Sequence, residues 1–428
     1  MSTNASTERR TYYGWVIVAV ATLALVVSNG LSINGIPIFY KFVQTDLVAS
    51  GAVPAENIQS VYGYGPGLTF LLAGLIAPVG AYLLERFRPK NMMIFGCFIL
   101  GSGLLIYSSA ASAATVYLAH AVLGVSLGFV GVLVCVVLIA NWFDKYRGRA
   151  MGIVLTGTSI GGVIIPQIST PLIRSYGWRT AMLIVSLTVW LILLPAVVLL
   201  VRDRPRDVGQ NVDGFDGADD GDDEEVVKEG MTLGKAIRSG AFWIFSLLAA
   251  LIFYAIFVVS QQLNLYLQGP KIGFTAESAA NVQSLLFVLS IAGKFIYGFL
   301  ADHFLSRRVM LFSAVTMFLS TLAFLHLDAR TVYVFVFLFG LNYGGTFVLL
   351  QLIVADQFGL REYGKIIGAV TVIETIGGAA GTIITARIAD ANGGDYSTAF
   401  MGLIAVTAAA VLLVILINRG STRSPLAV

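Results

Sequence analysis

The chain has 428 residues, of which 57% are apolar and 12% are charged, and its mean hydropathy is +0.84. A soluble domain carries about twice that share of charge. The apolar fraction corresponds to about 244 residues, and twelve membrane-spanning helices of ~20 residues need about 240. The composition therefore excludes a secreted, nucleic-acid-binding or disordered chain as a whole, and the continuous apolar runs exclude a transmembrane β-barrel.

Apolar runs between charged breaks predict an all-α polytopic membrane protein with twelve transmembrane helices. The predicted spans, in chain order, are 14–40, 58–84, 91–109, 114–140, 149–173, 179–201, 242–267, 278–302, 309–327, 332–355, 364–388 and 396–418. No cleavable signal is expected, because the first apolar run is too long for one. An even number of spans places both termini on the same side.

The positive charges are distributed unevenly between the two sides of these spans. Of the 27 Lys and Arg residues, 20 fall on the side of the termini, including Arg9, Arg10, Lys228 and Arg423, and five fall on the other side. Positively charged loops stay in the cytoplasm. We therefore expect a multi-pass protein of the plasma (inner) membrane with cytoplasmic termini and a cytoplasmic central loop.

The central loop separates two groups of six spans, predicted as an N-terminal half at 1–201, an acidic linker at 202–241 and a C-terminal half at 242–428. Eight acidic residues lie between Asp213 and Glu225 with no basic residue among them. Such a run repels itself and stays solvated. It is interpreted as a flexible linker and not as an ion site.

The two halves repeat each other. Glu85 and Asp302, each at a cytoplasmic helix end, are 217 residues apart, and the glycine pairs that begin at Gly161 and Gly377 are 216 apart. A duplicated, pseudo-symmetric six-helix unit is typical of secondary transporters, whose site lies near the midplane between the halves.

The loop residues carry a family resemblance. Gly298-x3-Asp302-x4-Arg307-Arg308 resembles the G-x-L-x-D-R-x-G-R-R signature of the major facilitator superfamily, and 81–90 is a weaker copy with Glu85-Arg86 in place of Asp-Arg. The resemblance implies a cytoplasmic charge relay that holds the outward-open state; interfacial anchoring is the alternative. The residues assigned to gating are Glu85, Arg86, Arg147, Asp302 and Arg307.

Two further stretches resemble one branch of that superfamily. Asn141-Trp142-Phe143-x3-Arg147-Gly148 and the Tyr13-Gly14-Trp15 stretch are similar to motifs of monocarboxylate transporters and of the oxalate/formate antiporter. The acidic residue usual before the second motif is absent. This resemblance implies a major facilitator fold and transport of organic anions.

Two charged residues lie deep within spans, where charge costs ~2.5–3.5 kcal/mol and indicates function. Lys294 is ~12 Å and Glu374 ~14 Å from the cytoplasmic side at 1.5 Å per residue. By resemblance Lys294 takes the position of a substrate-binding Arg, and Glu374 that of a Lys in the oxalate/formate antiporter. Lys294 is predicted to bind a carboxylate and Glu374 to carry the proton, since desolvation disfavours a charged carboxylate. A fixed salt bridge between the two is the structural alternative.

Uncharged polar residues within the spans are weaker candidates for lining the cavity, with helix packing as the alternative for each. They are Asn34, Tyr254, Gln261, Gln262, Asn342 and Tyr343. Tyr297, one turn after Lys294, is a candidate to orient the ammonium.

The sequence predicts proton-coupled symport of a small, lactate- or pyruvate-like monocarboxylate. A drug or cation:proton antiporter that uses Glu374, and an organic-anion exchanger without proton coupling, are the alternatives. The expected partners are a small carboxylate anion, a proton and the lipid bilayer, with no nucleic acid, and the protein is expected to act as a monomer. Neither an enzyme, a cofactor nor a metal site is expected, since Cys97 and Cys135 lie singly in apolar runs and are interpreted as packing residues.

Overall fold

A computed structural model describes residues 12–214, 230–359 and 361–421. Within these ranges the chain is helical, and its β-structure is a single bridge between Gly230 and Gly359. The basic residues Arg9, Arg10, Lys228 and Arg423 and most of the predicted acidic run lie outside the described residues. The helices, in chain order, are α1 Gly14–Ala49, α2 Ile58–Leu84, α3 Pro89–Ser108, α4 Ala113–Trp142, α5 147–176, α6 178–200, α7 Gly240–Leu267, α8 Ala276–His303, α9 Ser306–His326, α10 Thr331–Phe358, α11 Tyr363–Ala391 and α12 Ser397–Ser421.

The prediction of twelve spans is confirmed. Among the described residues, eleven helical stretches are long and apolar enough to cross a membrane, and one of them, Arg147–Leu200, contains two crossings. Gly177 separates α5 from α6 with φ 77° and ψ 161°, a conformation that glycine adopts without steric cost. The chain therefore reverses at this residue without a loop.

Several long helices carry local irregularities that residue type explains. A π-helical turn at Gly30–Asn34 interrupts α1, and Pro66 and Pro78 lie inside α2. Glycine and proline within a membrane helix free backbone groups, and neighbouring helices satisfy them. Functional sites are often found at such π turns, and Asn34 ends this one.

Small residues bring the two halves together. Gly63 of α2 lies against Ala386 of α11, Gly162 of α5 lies against Phe287 of α8, and Gly74 of α2 lies against Thr375 of α11. Glycines let helix backbones approach closely in lipid. The helix pairs α2–α11 and α5–α8 therefore form the main seam between the halves.

The seam is closed on one side only. Within the described ranges, the hydrogen bonds and ion pairs that join residues 12–201 to residues 240–421 lie between the predicted outer ends of the helices and the level of Lys294. The predicted gating side chains Glu85 and Asp302, at the predicted cytoplasmic ends, are exposed. The space between the halves thus opens toward the predicted cytoplasmic side.

The central loop is not solvated along its whole length. The Asp213 carboxylate accepts hydrogen bonds from the backbone N–H of Asp144 at 3.0 Å and of Lys145 at 2.8 Å. The interpretation of Asp213 as part of a free acidic run is therefore wrong, because this side chain caps the turn before α5. The other described end is held by Glu362, which accepts the backbone N–H of Leu233 at 2.7 Å.

Candidate functional site

Lys294 is the cation at the centre of the seam. It lies on α8, and its ammonium donates to the carbonyl of Leu155 at 3.0 Å, the hydroxyl of Thr158 at 2.9 Å and the hydroxyl of Ser159 at 3.0 Å. All three acceptors belong to α5 in the other half. Each is neutral, so hydrogen bonding satisfies the ammonium while its charge has no counter-charge among them.

Asn34 meets the same turn of α5. Its side-chain amide donates to the carbonyl of Thr158 at 2.7 Å, and its own carbonyl oxygen Oδ1 is buried with no hydrogen-bond partner. The structure therefore brings two predicted site residues, Lys294 and Asn34, together at Thr158. A buried acceptor without a donor is costly and marks a place where a ligand or water can bind.

Ser159 of α5 lies between Lys294 and Ser290, which is one turn earlier than Lys294 on α8. The hydroxyls of Ser159 and Ser290 are 3.2 Å apart. Ser290, at this position on α8, is uncharged. With a neutral serine at this position, the chain lacks the local counter-ion that would pair with Lys294.

Glu374 is buried on α11, with 6% of its surface exposed. The described residues contain three ion pairs: Arg174–Glu277, Arg179–Asp46 and Lys365–Glu362. Neither Lys294 nor Glu374 takes part in them. The fixed salt bridge between α8 and α11, offered as the structural alternative, does not form in this conformation.

Three glutamines form hydrogen bonds on the predicted outer side of Lys294 and its α5 partners. Gln261 of α7 donates to the carbonyl of Ile33 at 3.0 Å and accepts the Tyr40 hydroxyl at 2.9 Å, so it joins the two halves. Gln262 donates to the carbonyl of Thr382 at 2.7 Å within the C-terminal half. Gln283 of α8 donates to the backbone carbonyl of Asn34 at 3.3 Å.

Asn342, Tyr297 and Tyr343 form contacts between helices of the C-terminal half. The side-chain oxygen Oδ1 of Asn342 accepts hydrogen bonds from the hydroxyls of Tyr297 at 2.6 Å, Ser313 at 2.8 Å and Thr316 at 3.0 Å, so Asn342 cross-links helices inside the C-terminal half. Tyr297 is thereby turned away from Lys294, and its prediction as an orienting residue is wrong in this structure. The Tyr343 ring packs edge-on against Phe287 with centroids 5.5 Å apart.

Tyr254 lies on α7 against Gly381 of α11. This arrangement is helix packing within the C-terminal half, which was the alternative reading for a tyrosine in a span.

The predicted gating residues are apart in this conformation. Glu85, Arg86, Arg147 and Asp302 are exposed, Arg307 is half-buried, and none forms an ion pair within the parts of the chain that the structure describes. Arg86 lies over the Tyr82 ring, 4.7 Å from its centroid. A relay that holds the opposite conformation is expected to be broken when the cytoplasmic side is open, so the gating role stays a prediction.

The two motifs of the family resemblance pack against each other. The Tyr13 and Trp142 rings are 5.7 Å apart and the Trp15 and Phe143 rings 5.3 Å apart, measured between centroids. Gly14 sits between these rings, since a Cβ there would approach the Phe143 ring to 2.9 Å. These motifs therefore join α1 to the end of α4 and do not contact the Lys294 centre.

Sequence reasoning missed Thr158 and Ser159, the acceptors of Lys294. Two adjacent hydroxyl residues in the apolar run of α5, at the depth calculated for Lys294, were the available signal. Hydroxyl side chains in helices usually donate to a backbone carbonyl of the same helix, as Thr158 does to the Leu155 carbonyl at 2.8 Å. Their sequence pattern therefore does not show that they also accept hydrogen bonds from the other half.

Comparison with known proteins covers the whole helical region. The sequence pattern of the Major Facilitator Superfamily matches residues 20–280 and 269–427. Monocarboxylate transporter 13 of Bos taurus is 23% identical over 396 residues, which span 91% of this chain and 85% of that protein. The agnestins efflux protein AgnL12 of Paecilomyces divaricatus is 27% identical over 341 residues, covering 78% of this chain and 73% of that protein.

One solved structure shows the same helical arrangement. A bacterial homologue of the human lysosomal transporter Spinster, in an inward-facing and occupied conformation, matches with a TM-score of 0.70 at 15% identity, covering 96% of each chain. At this identity the likeness concerns the fold.

Proposed function

We propose a transport reaction for a chain that belongs to the Major Facilitator Superfamily and is a multi-pass membrane transporter: symport of a small monocarboxylate with a proton. The single observation that carries the proposal is the Lys294 ammonium, held at the seam between the halves by neutral acceptors alone. A half-buried cation without a counter-ion among its hydrogen-bond partners favours an anion at that position.

Binding of a carboxylate at Lys294 would change the link between the halves. The three hydrogen bonds of the ammonium all end on α5, so a carboxylate that takes one or more of them loosens the contact between α8 and α5. Alternating access requires such a coupling between ligand and the relative position of the two halves. A lysine offers a point charge, which suits a variety of monocarboxylates better than a fixed fork.

Glu374 is proposed to supply the coupled proton. It is buried and forms no ion pair within the described residues. A carboxyl group in such a place is costly in its charged form, and protonation removes that charge. An anion on Lys294 and a proton on Glu374 together leave the loaded centre without net charge. We infer that the two charges are coupled through the field across the cavity, since they are not in ion-pair contact.

The orientation follows from the charge distribution of the loops. With both termini in the cytoplasm, as the bias of Lys and Arg predicts, the open side of the seam is the cytoplasmic one and the conformation is inward-open. Monocarboxylate transporter 13 supports the substrate class by its name. The relatives also include efflux proteins, so transport has to be measured directly.

The test uses the purified full chain in proteoliposomes at equal internal and external pH. Addition of external L-lactate, pyruvate or benzoate is expected to acidify the lumen, and Lys294→Gln is expected to abolish both acidification and uptake. Lys271→Gln removes an exposed cation on the outer face and serves as the matched control. Absence of uptake and acidification with all three acids overturns the proposal.

The same vesicles separate the two alternatives. Uptake that is independent of a pH gradient but stimulated by internal anion indicates an organic-anion exchanger. Proton release driven by an organic cation, lost in Glu374→Gln and retained in Lys294→Gln, indicates a cation:proton antiporter.

A further inference from the structure

A second cation lies at the seam, at the predicted outer face. A cavity of about 590 Å³ is lined from both halves, by the α1–α2 loop, α2 and the start of α4 on one side and by the end of α11 on the other. Arg387 and Asp390 of α11 line it together with Tyr64 and Tyr117. This cavity lies on the closed side of the seam and is separate from the Lys294 centre.

The Asp390 carboxylate already has hydrogen-bond donors in the N-terminal half. Its carboxylate accepts the backbone N–H of Gln59 at 2.9 Å and of Ser60 at 2.7 Å, and it also accepts the Ser60 hydroxyl. These donors form the first turn of α2, where the helix dipole favours a negative charge. The charge of Asp390 is therefore satisfied by the other half of the protein.

Arg387 is left without an acidic partner. Asp390, three residues later on the same helix, would be its usual ion-pair partner, yet no ion pair forms between them in the described chain. The guanidinium instead lies over the Tyr64 ring, 5.3 Å from the centroid. An arginine placed over an aromatic ring can still offer its N–H groups to a carboxylate.

We propose that this outer cavity binds the carboxylate group of a small monocarboxylate at Arg387 before the outer side opens. The identity of the ligand class rests on the proposed function, whereas the site itself rests on Arg387 and the cavity. Arg387 binds the anion in a bidentate manner, and the apolar part lies beside Tyr64 and Tyr117, whose rings meet edge-on at 6.3 Å.

The site exists only while the outer side is closed. Separation of α2 from α11 takes Tyr64 away from Arg387 and releases Asp390 from the first turn of α2. The freed carboxylate then lies one turn from the guanidinium and competes with the bound anion. Opening therefore releases the anion from Arg387 at the moment when the path toward the centre is formed.

The test measures the electrostatics of the cavity by thiol chemistry. Cys97 and Cys135 are both buried, so Ala113→Cys, at the cavity wall, supplies the reactive thiol. Its rates with the anionic ethylsulfonate and the cationic ethyltrimethylammonium methanethiosulfonates are compared in vesicles. Arg387→Gln is expected to lower the anionic-to-cationic rate ratio at least threefold, whereas Lys271→Gln leaves it unchanged.

Ligand occupancy is measured with the same reagent. External benzoate is expected to slow the anionic reagent at least twofold when Arg387 is present, to do so weakly in Arg387→Lys, and to have no effect in Arg387→Gln. A rate ratio and a benzoate effect that both survive Arg387→Gln overturn the proposal. The measurement is repeated in Lys294→Gln, where protection at the outer cavity should persist, so that loss of the central site is distinguished from loss of the outer one.

Discussion

The ammonium of Lys294 on α8 donates a hydrogen bond to the hydroxyl of Thr158 on α5 over 2.9 Å. This bond joins the two halves at the depth where the outer contacts end. A ligand that takes over the ammonium must compete with it, and the competition can be measured.

Thr158→Val removes the hydroxyl acceptor and leaves the shape of the side chain. Hydrogen bonds to charged groups are worth about 1.5–3 kcal/mol, and the unliganded state loses one while the liganded state replaces it with the carboxylate. We expect carboxylate binding to tighten by about tenfold or more, measured by titration calorimetry of the purified protein. Thr158→Ser keeps a hydroxyl and should stay near the wild type; equal affinities for all three proteins would contradict the competition.

Glu374→Gln keeps the size of the side chain and removes its proton exchange. Uptake driven by a pH gradient is expected to fall by tenfold or more, whereas exchange of internal for external monocarboxylate should fall far less, because exchange does not require the proton to leave. Counterflow and gradient-driven uptake in the same vesicles measure the two. An unaltered dependence of uptake on pH would count against Glu374 as the proton carrier.

Gly63→Ala places a methyl group in the seam. The added Cβ would lie 2.5 Å from the Ala386 Cβ and 2.7 Å from the Thr382 carbonyl oxygen, and overpacking of this kind costs about 1–3 kcal/mol. We expect a shift toward the outward-open state, seen as a longer distance between spin labels at Lys41→Cys and Lys271→Cys. Gly402→Ala, where a Cβ meets open space, is the control and should leave the distance distribution as it is.

Asp390→Ala removes the acceptor of two backbone N–H groups of α2. The same pair of spin labels should report a larger outward-open population, because those contacts exist only when the outer side is closed. Asp328→Ala is a matched loss of a helix cap within the C-terminal half, where Asp328 accepts the backbone N–H of Thr331 at 2.7 Å. A shift as large in Asp328→Ala as in Asp390→Ala would show that the effect is not specific to the seam.

The contact of Glu362 with Leu233, at the C-terminal end of the central loop, is expected to depend on pH. The backbone N–H of Leu233, and then Lys365, hold the pKa of this carboxyl below its usual value. Because the folded-state pKa is the lower one, the contact stabilises the loop above the ordinary Glu pKa of about 4.3 and is lost as the pH falls. Proteolysis at this loop should distinguish Glu362→Ala from the wild type at pH 7, and the difference should shrink as the pH falls below the ordinary Glu pKa of about 4.3; a difference that stays unchanged as the pH falls would refute the coupling.

The fold could be predicted from the sequence because membrane helices are read from local composition. The positions of the spans and the family were confirmed, and Gly177 lies in the gap predicted between the fifth and sixth spans. The predicted end of α1 was less accurate. The sequence predicted it at residue 40, whereas α1, which contains the π turn at Gly30–Asn34, continues to Ala49. Local hydropathy did not reveal that polar residues such as Gln44, which bonds to Gln59 at 2.8 Å, continue the helix toward the outer face.

The site was less accessible to prediction because its contacts join helices far apart in the chain. Depth along the helix placed Lys294 and Glu374 at one level, but it did not give the direction of either side chain. Lys294 reaches α5, and Tyr297, although one turn away, reaches Asn342. Such choices depend on helix rotation and on how far the halves have closed, and neither is encoded in local spacing.

Both native thiols lie out of reach of the aqueous phases. Cys97 and Cys135 are each 0% exposed, and the Cys135 thiol donates to the Ala21 carbonyl at 3.8 Å. Buried thiols without an activating charge are poor nucleophiles and slow to oxidise. The protein should therefore keep its activity under oxidants and alkylating reagents that inactivate carriers with exposed cysteines.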